Sequence, residues 1–547
     1  MAVSHDRQIG SERELASLAL ALGARDVAGW SPDESALEAS LKLQTPTRKL
    51  VRDARDAICG GADPLSDSFC ALRTARERRP LGATHTPGEI VAAMVLWAQT
   101  GGRPARVVDP GAGSGRFAVA AGRAFPEAEI VAVEVDPLAA MLTRAHLAAA
   151  GLAPRSRVVV CDYRAFRPDV IAGKTLYLGN PPYIRHHQIA PAWKRWLTAT
   201  AAVRGLPVSQ LAGTHVHFFL ATVARAAPGD YGAFITSAEW LDVNYGALLR
   251  RLVLDGLGGE EIHVLDPTAM PFSDAATTAA ITCFQIGAKP RALKMRRVSS
   301  AAQLGSLGVG RPLRRERLAG AARWTQLIAP ARKQSEGHVQ LGELCRVHRG
   351  TATGSNATWI VPPDWQELPH RMLLASVTRA RELFDALPVL DDAQRLRRVI
   401  DIPAELDGLD REQRLQVDRF LRKARRAGVA AGYIARHRRA WWSVGLRAPA
   451  PILATYMARR PPVFVRNAIA ARHVNIAHGL YPREPLPEPA LEALAAHLRA
   501  SVTLDRGRTY AGGLTKFEPG EMERLPVPDI AALTASAHSA HSSPLKR

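Results

Sequence analysis

From Ser11 to Arg79, Ala and Leu recur at helical spacing among Arg and Glu, and Pro32 and Pro64 interrupt the run. This pattern predicts about three helices in an N-terminal arm. From about Leu81 to Gln285 the texture becomes an alternation. The apolar runs Arg106 to Asp109 and Ile130 to Glu134 end in acids, and each precedes an alanine-rich helical stretch. Val158 to Cys161, Leu176 to Gly179 and Ala279 to Ile286 continue the series. Strand and helix in alternation specify an α/β fold with a doubly wound parallel sheet. Beyond it, Leu341 to about Pro528 is rich in Trp, Tyr, Arg and short β-branched stretches, which predicts a mixed α+β domain. The expected division is a helical arm over 1–80, an α/β domain over 81–289, a basic linker over 290–340, a second domain over 341–530 and a disordered tail over 531–547.

Composition narrows the function. With 547 residues, 47% hydrophobic and 22% charged, the chain has an ordinary globular make-up, which excludes collagen, coiled coil and wholesale disorder. Lys and Arg number 72 against 51 Asp and Glu, a net charge of +21 that points to a polyanionic partner. The N-terminus lacks the apolar run of a signal peptide, and the uncharged stretch Ile90 to Gly102 is short of the roughly 18 residues a membrane span needs. No membrane segment is expected. The 5 cysteines are scattered, odd in number and never paired as CxxC, which fits a reducing cytoplasm and argues against a disulfide framework. His186-His187 and His215-Val216-His217 lack a third ligand at plausible spacing, so no metal is expected.

Candidate chemistry begins at Val107-Val108-Asp109-Pro110-Gly111-Ala112-Gly113-Ser114-Gly115-Arg116, a strand, a glycine turn and a helix start. Glycine suits a backbone that turns tightly and passes close to a ligand. Glu134 ends the next strand, where a carboxylate can take both hydroxyls of a ribose. The loop lacks the Gly-Lys-Ser/Thr ending of a triphosphate cradle. Asp162 and Tyr163 follow the third strand, where an acid can accept from an adenine amino group and an aromatic can pack on it.

The fourth strand runs into Asn180-Pro181-Pro182-Tyr183. Two prolines stiffen the chain and remove donors, leaving the Asn180 side-chain oxygen and the Pro181 carbonyl to accept from one amine. Accepting both protons frees the nitrogen lone pair for attack on a methyl sulfonium, and Tyr183 offers a face on which an extruded base can stack. These residues resemble the adenine-N6 DNA methyltransferases with an Asn-Pro-Pro-Tyr motif in the gamma, TaqI-type arrangement, over about Leu81 to Pro528.

The resemblance implies a Rossmann-like S-adenosylmethionine-dependent methyltransferase domain followed by a target-recognition domain. It implies that Thr86 lies near the methionine carboxylate, that Asp109, Gly111 and Gly113 surround the methionine, and that Glu134 holds the ribose and Asp162 the adenine amine. By position, Phe272 looks like the aromatic that helps hold the flipped base. Leu341-Gly342-Glu343 followed by Arg349 to Asn356 resembles the opening of the recognition domain, and Arg508 to Lys516 with Pro519 resembles its closing segment.

Charge points the same way. Between Ala431 and Tyr481 there are 8 arginines and no acid, among them Arg438, Arg439, Arg459, Arg460 and Arg466, interleaved with Trp441, Trp442, Tyr456 and Phe464. Arginine forks clamp phosphates or read guanine edges, and aromatics stack or wedge. The expectation is site-specific methylation of adenine N6 in double-stranded DNA within a restriction-modification or phage-defence locus. A separate restriction endonuclease or defence-system subunit would be its counterpart, because Asp33, Glu38 and Lys42 are misspaced for a fused nuclease. The alternatives are a methyltransferase of the same fold acting on RNA or protein glutamine, and a catalytically silent DNA-binding protein.

Overall fold

The computed structural model describes residues 9–73, 77, 86–206, 208–265, 278–328, 337–510 and 514–533. These fall into two compact units, the first within residues 1–330 together with Tyr510 and the second within 331–509 and 514 onward.

The first unit is built on strands β1 (Arg106–Pro110), β2 (Glu129–Glu134), β3 (Ser156–Val160), β4 (Thr175–Gly179), β5 (Tyr231–Ser237), β6 (Gly259–Leu265), β7 (Ala279–Gln285), β8 (Ala292–Val298) and β9 (Arg311–Arg314). They form one sheet in the order β3-β2-β1-β4-β5-β7-β6-β8-β9. The first five strands are parallel, and β7 runs antiparallel between β5 and β6. Central strands covered on both faces read as continuous apolar runs. Val107, Leu176 and Ile235 accordingly pack into one core and Val108, Tyr177 and Phe234 into the other.

Helices cover the two faces. The N-terminal segment supplies α1 (Glu12–Ala21), α2 (Pro32–Leu41), α3 (Arg48–Cys59) and α4 (Pro64–Leu72), one more than the sequence pattern predicted. Thr47, which follows Pro46, caps the helix after the extra break by accepting from the Leu50 N–H. Then follow α5 (Gly88–Thr100), α6 (Arg116–Ala124), α7 (Pro137–Ala149), α8 (Pro191–Ala202), α9 (Thr214–Arg225) and α10 (Ala247–Leu254).

The N-terminal segment is not a detached arm. Leu15, Leu18, Ile58 and Leu65 share a core with Leu138, Met141 and Leu142 of α7. The fully buried Arg144 donates to both carboxylate oxygens of Glu34, at 2.6 and 3.1 Å, and to the carbonyls of Val27, Ala28, Gly29 and Val158. Ala28 also accepts from the Val158 N–H at 3.0 Å, beside the outer edge of β3.

The expected basic linker over 290–340 needs correction too. Its first part forms β8 and β9, in which buried Leu293, Met295 and Leu313 alternate with the exposed or half-buried Lys294, Arg296 and Arg314. Period-two burial was hidden in the sequence by the density of basic residues on the outward face.

Among the described residues the second unit holds a five-stranded and a four-stranded β-sheet, with smaller two- and three-stranded ones, around several small cores. One sheet runs Cys345–Arg349, Ala477–Pro482, Ile452–Thr455, Phe464–Asn467, Val389–Leu390, and a four-stranded one is centred on Leu373–Val377 and Arg398–Ile400. Helix Glu488–Ser501 packs Leu491, Leu494 and Leu498 onto the first sheet.

Candidate functional site

In a doubly wound sheet, loops diverge to opposite faces where the strand order reverses, and a crevice opens at the carboxyl ends of those strands. Here the reversal lies between β1 and β4. A cleft of about 310 Å³ opens there, lined by the turn after β1, the end of β2, the residues after β3 and the Asn180 loop after β4.

The glycine turn is shaped by close approach. Gly111 has φ +75° and lies so near the Asn180 loop that a Cβ would fall 3.2 Å from Cδ of Pro182. A Cβ on Gly115, φ +86°, would sit 2.9 Å from Cγ2 of Thr143. The turn is tied down by Thr143, whose hydroxyl donates to the Gly113 carbonyl at 2.7 Å. The Gly113 N–H in turn donates to Oε2 of Glu134 at 2.8 Å.

Glu134 lines the cleft and accepts from the Val135 and Asp136 N–H groups through Oε1. Burial raises its pKa, and these backbone donors oppose the shift. Asp162 also lines the cleft, gripped by Nε and one terminal nitrogen of the Arg164 guanidinium at 2.8 and 2.6 Å. Arg164 itself lies over the Trp193 ring, 4.1 Å from its centroid.

Two expected cofactor residues are deeply buried. Asp109 is buried beneath the turn and does not line the cleft. Its Oδ2 accepts from the Ala118 N–H at 3.0 Å, steadying the start of α6, and burial pushes its carboxyl up to about 8. Tyr163 reaches the cleft wall, but its ring belongs to the core, packed on Phe166 and Phe218 with its hydroxyl 2.9 Å from that of Thr222. Its hydroxyl is pushed up to about 12 by that burial. An aromatic next to a strand end is drawn inward when a helix such as α9 covers that face.

Asn180 stands at the cleft with its amide oriented. Its Nδ2 donates to the hydroxyl oxygen of Thr86 at 3.0 Å, and its Oδ1 is buried without a hydrogen-bond partner. A buried acceptor left unpaired costs about 1–3 kcal/mol unless a ligand satisfies it. Pro182 and Ile184 continue the wall. Pro181 is buried, and Tyr183 is half-buried outside the cleft lining, its hydroxyl pKa raised by burial. Phe272 lies outside the described residues.

Sequence reasoning missed the contribution of the N-terminal segment. Ser66, Phe69 and Cys70 of α4 line the cleft. Asp63, the residue that caps α4, accepts from the Ser114 hydroxyl at 2.9 Å and from Nε of Arg116 at 2.8 Å. Arg116 then donates to the Thr86 carbonyl at 2.7 Å. The one signal in the sequence is the Asp63-Pro64 helix start.

In the second unit the arginines divide. Arg439, Arg459 and Arg460 are exposed, Arg439 paired with Glu405 at 2.6 Å and Arg460 lying over the Phe384 ring. Arg438 is half-buried and donates to the Ala352 carbonyl at 2.6 Å. Arg466 is buried in its strand against Glu488 and the Pro451 carbonyl, so its role is structural rather than DNA-facing. The interleaved aromatics are likewise packing residues. Phe464 is fully buried, Trp441 packs on Trp359, Trp442 donates to the Pro403 carbonyl, and Tyr456 stacks on His478. Among the described residues no helix is long and apolar enough to cross a membrane.

Comparison with known proteins places this geometry. Residues 325–546 match the family model of the C-terminal domain of the type II methyltransferase M.Eco57I. The type II methyltransferase M.XamI of Xanthomonas campestris pv. amaranthicola is 48% identical over 534 residues, covering 96% of this chain and 99% of that one. A tRNA1(Val) (adenine(37)-N6)-methyltransferase of Porphyromonas gingivalis is 29% identical over 150 residues, 27% of this chain and 54% of that one. Among solved structures, the type IIL restriction-modification enzyme MmeI, determined in complex with DNA, matches with TM-score 0.56 and 13% identity over 96% of this chain and 82% of that one, a likeness of fold. At 48% identity over nearly its whole length to M.XamI, the chain belongs to the type II DNA methyltransferases of restriction-modification systems.

Proposed function

We propose that the chain transfers a methyl group from S-adenosylmethionine to the N6 amine of an adenine flipped out of double-stranded DNA, in the gamma arrangement of the Asn-Pro-Pro-Tyr enzymes. The observation that carries this reading is the Asn180 amide, whose nitrogen is pinned to Thr86 and whose oxygen is buried, unpaired and at the cleft. An exocyclic amine is the donor such an oxygen lacks. The turn at Gly111 to Gly115 and the carboxylates of Glu134 and Asp162 fit the methionine, ribose and adenine parts of the cofactor. S-adenosylmethionine supplies an electrophilic methyl group.

The chain's own residues orient the acceptor. Asn180 Oδ1 and the Pro181 carbonyl accept the two amine protons, which drives the nitrogen toward tetrahedral geometry and frees its lone pair for in-line attack. With that methyl donor bound, the new N–C bond would form as the methyl–sulfur bond breaks, and the surplus proton would pass to water. Tyr183 supplies the stacking face. The +21 charge and the exposed Arg439, Arg459 and Arg460 support duplex DNA, with a separate restriction endonuclease as counterpart.

The test is expression in a methylation-free bacterial host followed by long-read sequencing that detects modified bases, with Asn180→Ala as the blank. One short motif carrying N6-methyladenine at nearly every occurrence is the expected result. Modified cytosine, or no modified base from a soluble, cofactor-binding protein, overturns the adenine assignment.

A further inference from the structure

The methionine end of S-adenosylmethionine carries a carboxylate, yet the cleft is lined by the acids Glu134, Asp136 and Asp162. Among the described lining residues only Arg116 and Arg164 are cationic. Arg164 is committed: Nε and one terminal nitrogen hold Asp162, and the other terminal nitrogen lies 3.4 Å from Nδ1 of His217. Arg116 is not. Its Nε donates to Asp63 and one terminal nitrogen donates to the Thr86 carbonyl, leaving the second terminal nitrogen without a partner among the described residues. The side chain is 20% exposed and lines the cleft, beside the glycine turn and the residue that holds Asn180.

A guanidinium pinned at two of its three nitrogens is preorganised for an anion at the third, because little rotamer freedom remains to be lost on binding. Asp63 is the anchor. It is 5% exposed and spends one oxygen on Arg116 and Ser114 and the other on the Ser66 N–H that opens α4. We propose that Arg116 binds the methionine carboxylate of the cofactor and that Asp63, from the N-terminal segment, is its positioning residue. The segment around Asp63 thereby becomes part of the cofactor site. The proposal rests on the S-adenosylmethionine reading above and adds to it the residue that recognises the amino-acid end.

The experiment compares two thioether ligands by titration calorimetry on the full chain. S-adenosylhomocysteine carries the amino-acid group, and 5′-methylthioadenosine lacks it. In Arg116→Gln, affinity for S-adenosylhomocysteine should fall at least about tenfold, the scale of a lost hydrogen bond to a charged group, while 5′-methylthioadenosine binds within about twofold of wild type. Arg116→Lys should recover part of the loss, and Asp63→Asn should weaken S-adenosylhomocysteine selectively. Equal weakening of both ligands, or of neither, overturns the proposal. Should Arg116→Gln fail to fold, the selectivity ratio in Arg116→Lys and Asp63→Asn decides it, and an unchanged ratio in both refutes it. If the wild-type protein binds neither ligand, the cofactor reading itself fails, and that outcome is distinct from a wild type that binds both equally, which refutes only the carboxylate contact.

Discussion

Replacing Thr86 by valine keeps the shape of the side chain and the carbonyl that holds Arg116, and removes only the hydroxyl oxygen that accepts from Asn180 Nδ2 at 3.0 Å. Thr86 is 4% exposed, so water does not readily replace that acceptor. The stranded amide donor costs about 1–3 kcal/mol, and the amide escapes the penalty by rotating away from the orientation that presents Oδ1 to the target amine. Turnover at saturating cofactor should fall by the corresponding factor, about 5- to 150-fold. Single-turnover methylation of a duplex carrying the recognised site, at saturating cofactor, reads this directly. Asn180→Ala removes the acceptor itself and should cost about 10² to 10³ in rate. Because Thr86 acts through Asn180, adding Thr86→Val to Asn180→Ala should cost almost nothing further. Losses that multiply in the double variant, or a full rate in Thr86→Val alone, would refute the positioning argument.

Three further outcomes are expected. Arg144→Ala strands the buried Glu34 carboxylate and should destabilise the first unit by about 3–5 kcal/mol in denaturant melts; a loss under 1 kcal/mol would contradict it. Burial lowers His215 to about 4 and His217 to about 3 in the first unit, and His473 and His478 to about 4 in the second. The unfolded chain takes up these protons near pH 6.5, so stability is full above that pH and is lost as pH falls toward 4, by up to about 1.4 kcal/mol per unit for each residue. Equal denaturation midpoints at pH 7.5 and 5 would show that these rings do not control acid stability. Substituting Arg439, Arg459 and Arg460 with alanine should flatten the salt dependence of DNA binding by about 0.9 in slope for each phosphate no longer neutralised, whereas Arg466→Ala should lower the melting temperature. An unchanged slope would move the DNA surface elsewhere.

The sequence by itself determined the local features: the strand ends, the glycine turn and the stiff Asn180-Pro181-Pro182 segment. Each depends on a short-range rule, whether apolar runs of strand length, a φ open to glycine, or a missing backbone donor. Tertiary structure decided which of these residues touch. Thr86 meets Asn180 across 94 positions and Asp63 meets Arg116 across 53, separations over which no periodicity operates. Packing likewise decided that Arg466 is buried while Arg439 is exposed, and that the Tyr163 ring turns into the core while Asp162 faces the cleft. Such choices depend on what covers each face of a sheet, and only the folded chain brings that cover into place.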